Sequence, residues 1–275
     1  MAVTLSLRNR VRVPIEVDGV LPESLGGLTT DAILRTVVSQ GNVRLPLGEF
    51  FTASGSCADD LTIAWEGDLK AVKRIGQGLS AGRMLVCGTA GMHLGSQMSG
   101  GEIEVRGDVT DWAGAEMRGG RIRVHGSAGD CPGGAYRGSR RGMTGGEILI
   151  QGDAGNEVGR VLRRGLIAVG GRCGEFCGSR MIAGSIFVSG ATGRRAGAGM
   201  KRGTIGLFGN AGFELLPTFK RAGTFHSVFL ASYVSGLHAA GMEALAGMLG
   251  GRMERWCGDV LAKGMGEILL PAGGG

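Results

Sequence analysis

Large apolar residues recur at Leu79, Met98, Met117, Met143, Leu162, Met181 and Met200, at spacings of 19, 19, 26, 19, 19 and 19 residues. Counted from each of these anchors, the third residue is always glycine (82, 101, 120, 146, 165, 184, 203), and so is the ninth (88, 107, 126, 152, 171, 190, 209). Between the two glycines stand two apolar rows at spacing two. The first is Met84, Ile103, Ile122, Ile148, Ile167, Ile186 and Ile205; the second is Val86, Val105, Val124, Ile150, Val169, Val188 and Leu207. Alternation over five residues with glycine on both sides predicts a short, half-buried strand in every unit.

A 19-residue unit is too short for a strand plus a crossover helix, and a lone short strand cannot bury its own apolar face. Stacking neighbouring units solves both problems. The pattern therefore predicts an all-β chain: a right-handed parallel β-helix of about seven to eight coils, rising roughly 4.8 Å per coil, with small α/β segments capping both ends. The repeated glycines would be corners where a Cβ is costly, either because φ is positive or because the coils touch there. Charges at the fourth position alternate (Arg83, Glu102, Arg121, Glu147), and at the sixth Glu104 stands over Arg123. Each such cross-strand pair is worth roughly 0.2–1 kcal/mol. An earlier, degenerate rung is expected at 61–68. The expected organisation is thus an N-terminal cap over 1–56 with a short helix after Thr29 and Thr30, the coils over 57–213, and a C-terminal cap over 214–275 with a β-rich run at 224–233.

Composition adds two constraints. Of 275 residues 56 are glycine, without a collagen triplet, which fits a repeated backbone need. The formal charge is +6, carried by 25 arginines and only 5 lysines, and aromatic content is 5%, which suits an anionic partner better than base stacking on nucleic acid. Six scattered cysteines, no long apolar leader and no apolar run of about 18 residues lead us to expect a cytoplasmic protein with reduced thiols and no membrane contact.

Candidate chemistry is sparse. The four histidines (93, 125, 226, 238) are isolated from one another, so no catalytic residue is expected. Cys173 and Cys177 replace small or apolar residues of other units, Ala90, Ala128 and Ala154 in one case and Leu94, Ala113 and Val158 in the other, so they read as core residues rather than metal ligands. Glycines repeated in seven units cannot all form one phosphate loop. Charge is the exception: residues 157–213 hold nine cations against two acids, a net +7, and the seven-residue insertion before Met143 adds three arginines. Arg137, Arg140, Arg141, Arg163, Arg164, Arg194, Arg195, Lys201 and Arg202 form the candidate polyanion strip, with Arg163 two rungs from Lys201 and Arg164 two rungs from Arg202.

The pattern running from Gly95 through Met98, Gly101, Ile103 and Val105 to Gly107 resembles the repeat domain shared by glutamate synthase large subunits and the C subunit of formylmethanofuran dehydrogenases. The stretches "LPLGEFFTASG" (45–55) and "WCGDVLAKGMGEILL" (256–270) resemble the ends of that C subunit, including its counterpart in the formyltransferase/hydrolase complexes of bacteria that grow on methanol. The resemblance implies a non-catalytic scaffold in one-carbon metabolism. Its partners would be a formyltransferase subunit, an amidohydrolase-like subunit that holds the metal, and a dehydrogenase-subunit-B-like protein. The chain itself would hold no cofactor, while the complex would use a methanofuran-type carrier and tetrahydromethanopterin. The carrier's glutamate-rich tail would be the ligand of the basic strip. The alternatives are the C subunit of a tungsten or molybdenum formylmethanofuran dehydrogenase, a stand-alone glutamate-synthase-type module, and a free-standing polyanion binder.

Overall fold

In the computed structural model, which describes residues 2–58, 60–209 and 214–272, the strands in chain order are β1 (Val3–Leu7), β2 (Ile15–Glu16), β3 (Val37–Gln40), β4 (Val43–Pro46), β5 (Phe51–Ser54), β6 (Thr62–Glu66), β7 (Val72–Lys73), β8 (Arg83–Cys87) and β9 (Glu102–Val105). They continue as β10 (Arg121–Val124), β11 (Glu147–Ile150), β12 (Leu166–Val169), β13 (Ser185–Val188), β14 (Arg202–Leu207), β15 (Lys220–His226), β16 (Arg252–Gly258) and β17 (Met265–Pro271). The helices are α1 (Pro22–Leu25), α2 (Thr30–Leu34), α3 (Val228–Ala239) and α4 (Glu243–Met248). Among the described residues no helix is long and apolar enough to cross a membrane.

The repeat strands pair in the expected register: Ile103 lies beside Ile122, Ile122 beside Ile148, and Ile148 beside Ile167. They form the middle of a thirteen-stranded mixed sheet ordered β15-β16-β17-β14-β13-β12-β11-β10-β9-β8-β6-β1-β5, and a separate four-stranded sheet runs β4-β3-β2-β7. The expectation of an all-β, right-handed parallel β-helix is therefore corrected. Only one stretch of each unit is continuous strand; the return path is turns joined by single bridges from Ala90 to Val109, Ala128, Ala154, Cys173 and Thr192. Antiparallel strands close both ends of the large sheet, and helices cover part of its outer face.

The physical reason lies in the residues between the strands. Alternation spans only about a quarter of each unit, and the fourteenth position is left-handed in each unit from Leu79 to Met181, as at His93 (φ 66), Trp112 (φ 66), Cys131 (φ 60) and Phe176 (φ 60). Left-handed backbone cannot continue a strand. The two glycine rows also separate by cause. Gly101 has φ +70 and a Cβ there would lie 2.7 Å from the Gly82 carbonyl oxygen, whereas Gly107 needs no unusual φ and is required because its Cβ would lie 2.7 Å from the Gly88 carbonyl carbon. At Gly101 glycine serves conformation and contact together; at Gly107 it serves contact alone.

At the N-terminal end β6 is the expected earlier rung, paired parallel to β8, and β1 and β5 extend the sheet beyond it. The short helix after Thr29 is α2, whose first turn Thr29 caps by accepting from Ala32 N at 3.3 Å. The expected C-terminal β-rich run at 224–233 is also corrected: β15 ends at His226, Ser227 caps α3 by accepting from Leu230 N at 3.3 Å, and the chain becomes helical. Leu230, Tyr233, Val234 and Leu237 have the i, i+3, i+4, i+7 spacing of one helix face. With Leu245 and Leu249 that face packs on Leu149, Leu166, Ala168, Phe187, Phe208 and Leu269, on the outer side of β11–β14 and β17. Strands β11–β14 are thus covered on both faces while β9 and β10 keep a wet side. The expected boundary at residue 213 lies outside the described residues.

On the wet side the charges pair mostly across rungs. Arg121 reaches Glu147 at 2.8 Å and Arg83 reaches Glu104 at 2.5 Å. Glu104 does stand beside Arg123 in the register, but its second oxygen faces His125 Nε2 at 3.1 Å, and Arg123 donates instead to the Ala239 carbonyl at the end of α3, at 3.5 Å. Burial raises the Glu104 carboxyl, but hydrogen bonds from His125 and Arg83 outweigh it and hold the group below the ordinary glutamate value. A carboxylate depressed by folding contributes stability above its unfolded pKa of about 4.3 and loses it as pH falls through the folded value. Urea unfolding of wild type and Glu104→Gln between pH 6 and 3 checks this. Wild type should lose more stability than the variant below about pH 4, and parallel curves would refute the linkage.

Candidate functional site

The first two residues after each anchor lead into the repeat strand, and in the last units those residues are Arg163–Arg164 and Lys201–Arg202, the last of them opening β14, with Ile182–Ala183 between. This stretch is held by backbone bonds from Arg163 N to Met143 O at 2.9 Å and from Lys201 N to Met181 O at 2.8 Å. Left-handed Gly165, Gly184 and Gly203 follow. Because the backbone is fixed and the units stack, the side chains of Arg163, Arg164, Lys201 and Arg202 line one groove of about 530 Å³ whose floor is Ile182, Ala183 and Gly184. All four side chains are exposed, and among the described residues none of them is in an ion pair.

A fifth cation, Lys263, completes the groove from the turn before β17. The sequence carries a signal for it that the 19-residue count overlooks. Gly266-Glu267-Ile268 repeats Gly101-Glu102-Ile103 and Gly146-Glu147-Ile148, and β17 pairs parallel with β14, setting Gly266 beside Gly203 and Ile268 beside Ile205. A distant segment thus adds one more rung to the stack.

The groove opens, past Arg164 and Gly184, into a second depression of about 470 Å³ lined by Glu147, Ser185, Thr204, Phe229 and Tyr233. Tyr233 OH lies 3.2 Å from Ser185 Oγ, and Phe229 packs edge-on against Tyr233. This aromatic wall is supplied by α3, so a strand reading of 224–233 hides it.

The other five arginines of the candidate strip do not line this groove. Arg194 and Arg195 lie at the thirteenth and fourteenth positions, on a different turn of the unit, where the Arg195 guanidinium sits 5.2 Å from the centre of the Phe176 ring. Arg137, Arg140 and Arg141 project from the insertion. That segment is anchored by Tyr136, whose ring packs 5.2 Å from Trp112 and whose hydroxyl lies 3.0 Å from His93 Nδ1. Burial, with Arg74 and Lys73 nearby, holds the His93 imidazole below its ordinary pKa, so it is neutral at pH 7.

Cys173 belongs to the row of single bridges between Ala154 and Thr192, and both it and Cys177 are buried. The hydrogen bond between the two thiols and their burial push Cys173 well up. Burial and the Glu157 carboxylate push Cys131 up to about 12. Among the described residues no three His, Cys, Asp or Glu side chains are gathered to hold a metal ion. Since the thiolate is the reactive species, iodoacetamide at pH 8 should leave Cys131 and Cys173 unmodified in the native chain, read by peptide mass spectrometry. Early labelling of either would contradict the burial described.

Comparison with known proteins bears directly on this architecture. Residues 70–214 match the family described as "GXGXG motif", which is just over half the chain. A solved chain of the formyltransferase/hydrolase complex (FhcABCD) from Methylorubrum extorquens, in complex with methylofuran, superposes with a TM-score of 0.89 at 34% identity, covering 98% of this chain and 99% of that one. The chain belongs to the family of formylmethanofuran dehydrogenase C subunits. Other members of the family match over a shorter stretch. The C subunit of molybdenum-containing formylmethanofuran dehydrogenase 1 from Methanothermobacter marburgensis is 44% identical over 95 residues, 34% of this chain and 24% of that protein. The C subunit of the tungsten-containing enzyme 2 from Methanothermobacter thermautotrophicus is 39% identical over 96 residues, 34% of this chain and 36% of that protein. The matched stretch thus spans about a quarter to a third of the length of these curated relatives.

Proposed function

We propose that this chain is the non-catalytic scaffold of a formyltransferase/hydrolase complex in methanofuran-linked one-carbon metabolism. The observation that carries this reading is the agreement over almost the whole chain, both ends included, with a chain of such a complex. In this reading the formyltransferase, the amidohydrolase-like hydrolase and a dehydrogenase-subunit-B-like protein are the partners. The groove of Arg163, Arg164, Lys201, Arg202 and Lys263 guides the polyglutamate tail of the carrier between their sites. Each exposed arginine–carboxylate contact is worth roughly 0.2–1 kcal/mol, which suits an arm that must move.

The dehydrogenase relatives favour a second reading, the C subunit of a molybdenum or tungsten enzyme. One preparation separates the two: the chain is tagged in its native host, the assembly is purified, its subunits are identified by mass spectrometry, and metals and formyl transfer are measured. Formyltransferase and hydrolase subunits without molybdenum or tungsten support the first reading. Either of those metals at stoichiometric level, or turnover by the chain alone that a mutation within it abolishes, overturns it.

A further inference from the structure

The turn joining β16 to β17 is built with unusual care for an exposed connection. Asp259, only 5% exposed, uses both carboxylate oxygens: Oδ1 accepts from Leu261 N and Oδ2 from Gly199 N in the last repeat, each at 3.0 Å. Its carbonyl accepts from Ala262 N at 2.9 Å and Gly264 N at 2.8 Å, and Val260 N donates to Thr218 O at 3.2 Å. Lys263 is held at φ +99, a conformation that costs a residue with a Cβ roughly 1–2 kcal/mol. The turn is thereby fixed to the repeats on one side and to the 214–219 segment on the other.

Beside the exposed Lys263, this rigid turn and the first residue of β17 present apolar side chains to solvent. Leu261 is 84% exposed, Met265 59% and Val260 51%. A single exposed leucine is ordinary, and an exposed loop is usually polar. Two apolar side chains on one preorganised turn, with Met265 beside them at the start of β17, have the form of an interface anchor, where order in the free protein removes the entropy cost of binding. The surroundings state the chemistry of what covers them. Lys263 stands in the turn itself, Lys201 and Arg202 lie across the groove it lines, and the carboxylate of Asp259 is spent internally.

We propose that Val260, Leu261 and Met265 are the docking knob for a partner subunit that offers an apolar socket rimmed by carboxylates. The proposal rests on the reading of the chain as a subunit of a complex, and it adds which face is covered and by what chemistry. A partner seated there overhangs Lys263, so the basic groove runs up to the interface rather than ending in open solvent.

The test uses the tagged chain in its native host. A benzophenone side chain in place of Leu261 should crosslink on irradiation to one partner subunit, in a peptide containing acidic residues. Val260→Asp with Leu261→Asp should reduce recovery of that partner about tenfold or more, while the isolated chain unfolds at the wild-type temperature. Crosslinking only to a second copy of the chain, or undiminished recovery of every partner by the double variant, overturns the docking surface alone. Wild-type chain recovered without any partner overturns both this proposal and the function it rests on.

Discussion

Gly120→Ala should lower the stability of the chain by roughly 2–5 kcal/mol, the sum of a left-handed conformation forced on a residue with a Cβ and of overpacking against fixed neighbours. Gly120 has φ +84, and a Cβ there would lie 2.6 Å from Gly100 O, 2.7 Å from Gly101 O and 2.7 Å from Met98 Cε. Two of those atoms are backbone of the preceding unit, locked by parallel pairing, so little can move aside. For a chain of this size the change corresponds to a fall in Tm of about 3–9 °C. Two controls divide the effect. Gly107→Ala adds the close approach without the left-handed φ, and Gly138→Ala, in the insertion at φ +85 with nothing within 4 Å, adds the φ without the contact. Each should cost less than Gly120→Ala, measured by calorimetry under the same conditions. If Gly120→Ala melts within a degree or two of wild type, the account of this glycine row is wrong.

That contrast also explains what a sequence of this kind reveals. Ile103, Ile122 and Ile148 are legible because a strand buried on one face must alternate, and alternation repeated at one spacing identifies register as well as strand. Gly101 and Gly107 are legible as corners, but their different physical causes are not, because φ and close approach both select glycine. The return path is opaque for the opposite reason. Trp112 and Phe176 share a left-handed conformation set by the stacked turns, and their chemistry gives no hint of it. Hence the strand pattern is plain while the shape enclosing it is overestimated. The helical layer hid behind a propensity: Thr224, Phe225, Val228, Phe229, Tyr233 and Val234 suit strands, yet Ser227 can cap and the apolar residues beyond it keep helical spacing. Four of the candidate cations meet in one groove because stacking in register transmits sequence position into space. Arg194 and Arg195 share their charge but not their place in the unit, and Lys263 joins only through the pairing of β17 with β14.

Reversal of Arg163, Arg164, Lys201 and Arg202 to glutamate should weaken binding of a polyglutamate chain about tenfold to a thousandfold at low salt, with little change in folding. The four exposed cations line one groove of about 530 Å³ with Lys263, so a flexible polyanion can touch them together. At roughly 0.2–1 kcal/mol per contact, four lost contacts remove about 1–4 kcal/mol, and the new carboxylates add repulsion. Substitutions at exposed positions without structural partners usually change stability by about 0.5 kcal/mol or less each, so a melting temperature near wild type is part of the expectation. Ionic strength provides the second readout. The Debye length shrinks from about 10 Å at 0.1 M to about 3 Å at 1 M, so the gap between wild type and variant should narrow steeply as salt rises. Reversal of Arg137, Arg140 and Arg141, which do not line the groove, is the control for overall charge, shifting the net charge by about −6 against about −8 for the groove variant. Fluorescence anisotropy of labelled polyglutamate, on the assembled complex and on the chain alone, distinguishes the cases. An equal loss from the control triple would mean that the ligand senses overall charge and not the groove, and a gap indifferent to salt would mean that the contacts are not electrostatic.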